Sequence, residues 1–212
     1  MTAKTYGQYC GVARALELVG ERWALLVIRN LLVGPKRYTD LKNGLPKIPT
    51  NVLATRLKEL EAAGLVSRRI EPSPSRAIVY ELTPYGAALD TVVLELGRWG
   101  ARSLGELRPG EIADTDVLVM ALRSTFQPAA STAKATYEVR FGEVVVHAVV
   151  ERDELHVQAG AAEKPTLVIE AFGPLTPLLD GTVTPAEALA DGLVGINGPK
   201  SELTRFSQLF RI

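Results

Sequence analysis

The segment Pro49–Ala63 contains side chains that can contact the edges of nucleic-acid bases. Its leucines recur at helical spacing and predict a helix with one buried side. The exposed side begins with four small residues, Thr50, Asn51, Ala54 and Thr55. An Asn amide can make a bidentate contact to adenine, and Thr and Ala methyl groups can touch the methyl group of thymine. The spacing therefore predicts a helix that contacts bases in the major groove of DNA.

Basic side chains cluster before, on and after this helix. Between Lys36 and Arg76 the chain has nine Lys and Arg residues against four Asp and Glu residues, a surplus that favours binding to phosphates. Each basic residue alone fits a solvated surface equally well, and Arg56 could either bind the DNA backbone or brace the fold. The set predicted to surround the DNA backbone is Lys36, Arg37, Lys42, Arg56, Lys58, Arg68, Arg69 and Arg76.

Helices and strands predicted in the first half would position these residues. Gly34-Pro35 ends a nearly apolar helix, Pro49 suits the first turn of the base-contacting helix, and Gly64 ends that helix. The loop Glu71–Ala77 is too rich in Pro and Ser to be a strand, so it joins two strands as a wing. The pattern predicts a mainly α winged helix-turn-helix, with helices at Cys10–Val19, Arg22–Val33, Asp40–Asn43 and Pro49–Ala63 and strands at Leu65–Ile70 and Ile78–Leu82.

A further helix, predicted from Thr83-Pro84 to about Arg102, carries an apolar stripe. The stripe could pack against its own domain or pair with a second copy of the chain. We favour pairing, because a two-fold DNA site needs two base-contacting helices. The predicted dimerisation residues are Leu89, Val92, Val93, Leu96 and Trp99.

The chain from Cys10 to about Arg102 resembles the HxlR-type branch of the MarR-like winged-helix transcriptional regulators. The resemblance implies a homodimeric bacterial regulator that binds a pseudo-palindromic operator in double-stranded DNA. Because such regulators include repressors and activators, the direction of control does not follow from it. Its motifs are Gly20-Glu21-Arg22-Trp23, Gly34-Pro35-Lys36-Arg37-Tyr38, the run from Leu53 to Leu60, Gly64-Leu65-Val66 and Tyr80-Glu81-Leu82-Thr83-Pro84.

Cys10 is the one cysteine of the chain, and it matches an N-terminal cysteine that many of these regulators carry. The resemblance implies a possible role in sensing oxidants or electrophiles, although Gly11 stands where the family often has proline. Helix-terminal N–H groups could lower the thiol pKa and favour the thiolate. The alternative, which we favour from the sequence, is a small buried residue that packs.

The second half of the chain predicts a separate α+β domain. Arg108-Pro109-Gly110 has the composition of a linker, so we place the domains at 1–108 and 113–212. The net charge is +5 over residues 1–112 and −5 over residues 113–212, which suggests different partners. This order of elements favours an antiparallel sheet with helices beside it. The sequence predicts a helix at Asp116–Phe126, strands at Ala135–Phe141, Glu143–Glu151, Glu154–Gln158 and Thr166–Glu170, and short helices at Gly173–Asp180, Pro185–Ala190 and Ser201–Phe210.

The segment beginning at Gly142 resembles a sterol-carrier-protein-type fold. The resemblance is carried by Leu178-Leu179-Asp180-Gly181, by the Pro-Ala-Glu-Ala-Leu helix start at Pro185 and by the closing helix. It implies an apolar tunnel for a lipid-like or other hydrophobic small molecule, and it implies no reaction. The candidate ligand-binding residues are Val139, Phe141, Val146, Leu175, Leu178, Leu179, Phe206 and Phe210.

The leading interpretation is a ligand-responsive, homodimeric transcriptional regulator. One alternative is a carrier of hydrophobic molecules whose winged helix serves dimerisation or docking, and another is a thiol-based sensor that uses Cys10. An enzyme has the least support, because residues 115–212 contain no catalytic, phosphate-loop or metal-ligand motif, and we expect no cofactor. No apolar run approaches the roughly 20 residues that cross a bilayer, and the first residues lack a signal-peptide core, which predicts a cytoplasmic protein without a membrane partner.

Overall fold

The computed structural model describes residues 5–128 and 133–212, and the chain divides into two compact units between Val93 and Leu94. The division falls inside a helix and ahead of the linker composition at Arg108. The domain limits of 1–108 and 113–212 stay a prediction.

The first unit contains the helices and the hairpin that the sequence predicts, together with one short strand that it did not predict. The strands form a three-stranded antiparallel sheet in the order β1-β3-β2. In chain order the elements are α1 (Gly11–Val19), α2 (Ala24–Val33), β1 (Lys36–Arg37), α3 (Tyr38–Gly44), α4 (Thr50–Ala62), β2 (Val66–Ile70), β3 (Ile78–Leu82), α5 (Pro84–Ala87) and α6 (Asp90–Ala101), the last of which crosses the division.

Helix α4 is held by its leucines and limited by the residues at its two ends. Leu53, Leu57 and Leu60 are almost fully buried, as the helical spacing predicted. Pro49 is extended and precedes the first helical residue, and Gly64 has φ +71° just beyond the C-terminus. The chain therefore leaves α4 directly into β2, the first strand of the hairpin.

The helix predicted from Thr83-Pro84 to Arg102 is interrupted after Ala87 and forms α5 and α6 instead. A Cβ atom at Gly86 would lie 2.0 Å from the carbonyl oxygen of Leu65, the residue just before β2. The α5 backbone is therefore too close to Leu65 for any residue with a side chain at position 86. Thr83 caps α5 by accepting a hydrogen bond from Gly86 N–H. This packing fixes the direction of α5, and α6 begins again at Asp90.

The second unit, from Leu94 onward, is α+β. Its five strands form one sheet in the order β6-β5-β4-β7-β8. The elements are α7 (Thr115–Thr125), β4 (Ala135–Phe141), β5 (Val144–Glu151), β6 (Glu154–Ala159), β7 (Leu167–Ala171), α8 (Thr176–Leu179), α9 (Pro185–Ala190), β8 (Val194–Asn197) and α10 (Lys200–Leu209).

The expectation of an antiparallel sheet is wrong for one pair, because β7 runs parallel to β4. β6 ends beside the start of β5, yet β7 begins opposite Tyr137 near the start of β4. Residues 160–166 must therefore run the length of β4 before β7 starts. An extended segment of this length spans roughly 23 Å, which equals the length of a seven-residue strand.

Aromatic side chains fill the space between the sheet and α10. The centroid of the Tyr137 ring lies 5.3 Å from that of Phe206 and 6.2 Å from that of Phe210, and the centroids of the two phenylalanine rings are 4.5 Å apart. The Tyr137 hydroxyl donates a hydrogen bond to Glu202 Oε2 at 3.1 Å, so its polar end is satisfied. Every helix in the described part of the chain is too short or too polar to cross a membrane.

Candidate nucleic-acid interface

The exposed start of α4 presents the residues that the sequence predicted to contact bases. Thr50, Asn51 and Thr55 are exposed, and Ala54 is partly covered. The Thr55 hydroxyl donates to the Asn51 carbonyl at 2.9 Å, so its methyl group is the part left for outside contact. The Tyr38 hydroxyl donates to the Thr50 carbonyl at 2.8 Å and links the first turn of α4 to α3. The side chains on this face are small and mostly polar, and the hydrogen bond from Tyr38 on α3 holds the first turn of α4 in position.

The sheet beside α4 brings together basic residues that are far apart in sequence. In one row, Lys36 on β1 and Arg68 on β2 both stand opposite Tyr80 on the middle strand β3. In the next row Arg37 and Arg69 both stand opposite Val79. Because successive residues of a strand point to opposite faces, this row lies on the other face of the sheet from Lys36 and Arg68. We call β1, β2, β3 and the loop of residues 71–77 the wing sheet. The sequence placed Lys36 and Arg37 in the segment that precedes the base-contacting helix, and the register puts them in one sheet with the wing arginines.

Three of the wing-sheet arginines are bonded to glutamates. Arg68 Nε lies 2.9 Å from Glu61 Oε1, and Arg69 Nε lies 2.6 Å from Glu81 Oε2. The hydrogen bond with Glu61 raises the pKa of Arg68. These contacts neutralise part of the positive charge that the sequence predicted to be available to DNA.

The third of these arginines is tied to the wing loop. Arg37 donates to Glu71 at 3.0 Å and to the Ser75 hydroxyl at 2.7 Å, and Ser75 itself donates to Glu71. The Ser75 hydroxyl, followed by the Arg37 guanidinium, lowers the pKa of Glu71. Arg76 comes next in the loop, with φ +47° and an exposed side chain. Within residues 5–128 and 133–212 neither Arg76 nor Lys58 has a carboxylate partner, and both side chains are exposed, so both cations are available to phosphate.

Comparison with known proteins decides the family. The sequence model of the HxlR-like helix-turn-helix family matches residues 18–107. The HTH-type transcriptional regulator YodB of Bacillus subtilis is 40% identical over 85 residues, which are 40% of this chain and 76% of YodB. The chain belongs to the HxlR-like helix-turn-helix family. Membership identifies it as a helix-turn-helix transcriptional regulator.

Two solved structures are similar to parts of this HxlR-like chain. The reduced form of the transcriptional regulator YodB from B. subtilis is 35% identical, covers 49% of this chain and 100% of its own, and has a TM-score of 0.40. The redox regulator HypR in its oxidised form is 29% identical, covers 45% of this chain and 99% of its own, and has a TM-score of 0.43. The family match ends at residue 107, before α7 and the five-stranded sheet.

Two of the basic residues predicted in this HxlR-like interface have contacts that hold the fold. The Arg56 side chain is only 15% exposed, and it pairs with Glu59 on the same helix and with Glu21 at 3.7 Å. These contacts favour the bracing role that the sequence left open. Lys42 is half-buried, and its ammonium donates to the Pro46 carbonyl at 3.3 Å in the turn before α4.

The apolar stripe on α6 is divided between the surface and the interior. Trp99 is 70% exposed, Val92 55% and Leu96 45%, so these three form a surface strip at helical spacing. Val93 is only 8% exposed and lies inward of this strip, and its role in dimerisation stays a prediction. Leu89 is half-buried at the start of the strip. The sequence spacing could not separate Val93 from its neighbours, because adjacent positions of a broad stripe differ only in tertiary burial.

Cys10 is exposed and precedes the first residue of α1. The expectation that it packs as a small buried residue is therefore wrong. Hydrogen bonds from the backbone N–H groups of Ala13 and then Val12 lower the pKa of the thiol. The direction agrees with the effect of helix-terminal N–H groups that the sequence suggested.

The residues predicted to line an apolar tunnel lie in the interior of the second unit. Most are buried, and Phe141 and Leu175 are half-buried. Phe206 and Phe210 contact each other and Tyr137, as described above. The sterol-carrier resemblance and the ligand site stay predictions.

A surface depression of 270 Å³ lies on the wing sheet, where the sequence predicted no concave site. It includes Ile70 and Ile78, a cross-strand pair with both side chains exposed. The sequence does not indicate this pair, because it predicts strands but not which of their faces stays exposed. The lining residues are Glu61, Arg68, Arg69, Ile70 and Ile78.

Proposed function

We propose that the chain is a dimeric transcriptional regulator that binds a pseudo-palindromic DNA operator through α4 and the wing sheet. The observations that carry the proposal are the exposed, small, polar start of α4 and the cations of the wing sheet that follows it, with Lys36 and Arg68 on one face of that sheet and Arg37 and Arg69 on the other. Asn51 would contact bases in the major groove, with Thr50, Ala54 and Thr55 around it. Lys58, Arg76 and the wing-sheet cations would contact phosphates or the adjacent minor groove.

The proposal is tested by separating base contacts from phosphate contacts. Asn51→Ala should reduce binding to a duplex selected from genomic fragments by about 1–3 kcal/mol and leave binding to random-sequence duplex nearly unchanged. Arg76→Ala should weaken binding to both duplexes alike and reduce the slope of log K against log salt by about 0.9. Fluorescence anisotropy at several salt concentrations measures both quantities.

Arg152→Ala is the matched control for Arg76→Ala. Both arginines are exposed and have positive φ, so both substitutions place alanine in the same backbone region. Arg152 lies in the turn between β5 and β6 and should leave DNA binding unchanged. If Asn51→Ala weakens both duplexes equally, α4 does not read bases through that amide. If the wild-type protein selects no sequence, the carrier interpretation is preferred.

The proposal includes control by a hydrophobic molecule in the second unit, which the sterol-carrier resemblance supports. Control of this kind requires different ligand affinities in the DNA-competent and DNA-incompetent dimers. A coupling of about 1–3 kcal/mol would give regulation of roughly 5- to 150-fold. A ligand between the sheet and α10 would have to separate the rings of Tyr137, Phe206 and Phe210, because these rings are in contact.

A second candidate function, thiol-based sensing, is favoured by one observation. Cys10 is exposed and its thiol pKa is lowered, which are the two properties that a reactive cysteine needs. Oxidation or alkylation of Cys10 would then change DNA binding.

A further inference from the structure

Glu61, Glu71 and Glu81 each hold a different arginine of the wing sheet. Glu61 reaches Arg68 from α4, Glu81 reaches Arg69 from the neighbouring strand, and Glu71 holds Arg37 from the wing loop. All six side chains are at least partly exposed, so solvent and counter-ions screen the pairs. Exposed ion pairs of this kind contribute little to folding stability. Arg68 lies on one face of the sheet, and Arg37 and Arg69 lie on the other. Stability alone therefore gives no strong reason for three glutamates beside the arginines of a sheet that is proposed to contact DNA.

We propose that these three glutamates act as a brake on DNA binding: they hold Arg37, Arg68 and Arg69 in intramolecular ion pairs that phosphates must displace. The inference rests on the proposed function. A phosphate that takes an arginine leaves the carboxylate unpaired and close to the DNA backbone, where like charges repel. Backbone contacts supply most non-specific affinity, so the brake weakens binding to DNA of any sequence. Contacts made by α4 with bases then supply the remainder of the affinity at an operator.

The three pairs differ in how clearly they test the brake. Glu71 also accepts a hydrogen bond from Ser75, so removing its charge would disturb the wing loop as well. Glu81 and Arg69 lie on adjacent strands, with Glu81 opposite Ser67 and Arg69 opposite Val79. Their contact involves no loop residue, so Glu81→Gln is the cleanest substitution. Glu61→Gln provides an independent second case, because Glu61 holds Arg68 from helix α4, whereas Glu81 holds Arg69 from a strand.

Glu81→Gln should strengthen binding to a random-sequence duplex of about three helical turns by roughly three- to tenfold at low salt. The slope of log K against log salt should become steeper, by at most about 0.9, because one more arginine is available to phosphate. Glu61→Gln should act in the same direction. Fluorescence anisotropy on the full chain measures binding, and circular dichroism confirms that each variant is folded.

Glu143→Gln is the matched control, since it removes the same charge from an exposed residue in the turn between β4 and β5 and should leave binding unchanged. Making Glu81→Gln in a chain that already carries Arg69→Ala tests whether Glu81 affects DNA binding through Arg69. If Glu81 acts by holding Arg69, Glu81→Gln should lose at least half of its gain there. A full gain in that background would show direct repulsion by the carboxylate and would overturn the proposal.

The remaining outcomes separate this inference from the proposed function. If the wild-type protein binds duplex DNA but the folded Glu81→Gln and Glu61→Gln variants bind no more tightly, the brake is wrong and the regulator remains. If the wild-type protein and every variant fail to bind duplex DNA, the regulator proposal fails and the brake fails with it.

Discussion

Cys10 offers a test at the scale of one residue, because every thiol adduct on this chain reports on it. Backbone N–H groups at the start of α1 lower its pKa, so a larger fraction is thiolate at neutral pH. Nucleophilicity falls more slowly than the thiolate fraction rises. We expect iodoacetamide to label the folded protein about two- to fivefold faster at pH 7 than it labels an ordinary thiol. Mass spectrometry across a pH series gives the rate and its midpoint.

The unfolded chain in urea is the control for this measurement, because it has the same thiol without the helix terminus. The midpoint of the labelling rate should lie at lower pH in the folded protein than in urea. Equal midpoints and equal rates would remove the thiol-sensor candidate. The sign follows from the stabilised thiolate, which also adds stability above the unfolded pKa and loses it as pH falls through the folded pKa.

Residue types could be predicted from the sequence more completely than residue partners. The cations of the wing sheet were expected, and Asn51 was expected to be exposed at the start of α4. The pairing of Arg69 with Glu81 depends on the register of β2 with β3, and that of Arg68 with Glu61 depends on where α4 ends beside β2. Neither relation is periodic along the chain. Arg56 shows the same limit of sequence-based prediction. Its place in the helical period is away from the buried leucines and suggests exposure, yet Glu21, distant in sequence, lies beside it and pairs with it.

At the scale of the element, Glu138 holds the crossover that makes β7 parallel to β4. Its side chain is 1% exposed, accepts a hydrogen bond from Ala162 N–H at 2.8 Å and bonds to Arg140. Glu138→Ala leaves that N–H without its partner, and Arg140 can turn partly to water. We expect a loss of about 2–3 kcal/mol in the free energy of unfolding of this unit. Urea unfolding gives the loss, and amide exchange at Ala162 localises it.

Glu170→Ala is the control for Glu138→Ala. Glu170 lies on β7 opposite Arg140 and is exposed, so its loss should change stability by less than about 0.5 kcal/mol. If Ala162 keeps its protection in Glu138→Ala, the crossover is held by other bonds, such as that from Thr166 N–H to the Thr136 carbonyl.

Long elements were predictable because their periodicity is local, and short ones were not. The predicted bounds of β4 and α9 agree with the structure, since both are bounded by turn or capping residues. β1 has two residues and β8 has four, so neither shows an alternating pattern in sequence. The parallel pair depends on a crossover that resembles an ordinary loop. The interruption between α5 and α6 comes just after the close approach of Gly86 to Leu65, a tertiary contact that no local pattern contains.

At the scale of the whole molecule, charge and family membership divide the chain in a similar way. Residues 1–112 carry +5 and contain the matched region 18–107, whereas residues 113–212 carry −5. Phosphates attract the first part and repel the second. We therefore infer that DNA contacts come from the first part and that the second has a different partner.

A dimer is required if two copies of α4 are to contact one pseudo-palindromic site, and the exposed strip of Val92, Leu96 and Trp99 is the proposed interface. Trp99→Glu places a charge in that strip and removes an aromatic anchor, so the dimer dissociation constant should rise about 30-fold or more. Thr91→Glu adds the same charge to α6 on an exposed position outside the strip and should leave the dimer intact. Native mass spectrometry over a concentration series gives the dissociation constants and detects any co-purified apolar molecule.

A wild-type monomer would contradict the two-fold operator, and an intact Trp99→Glu dimer would place the interface elsewhere. Loss of the dimer together with loss of operator binding, at unchanged helix content, would tie DNA recognition to pairing through α6.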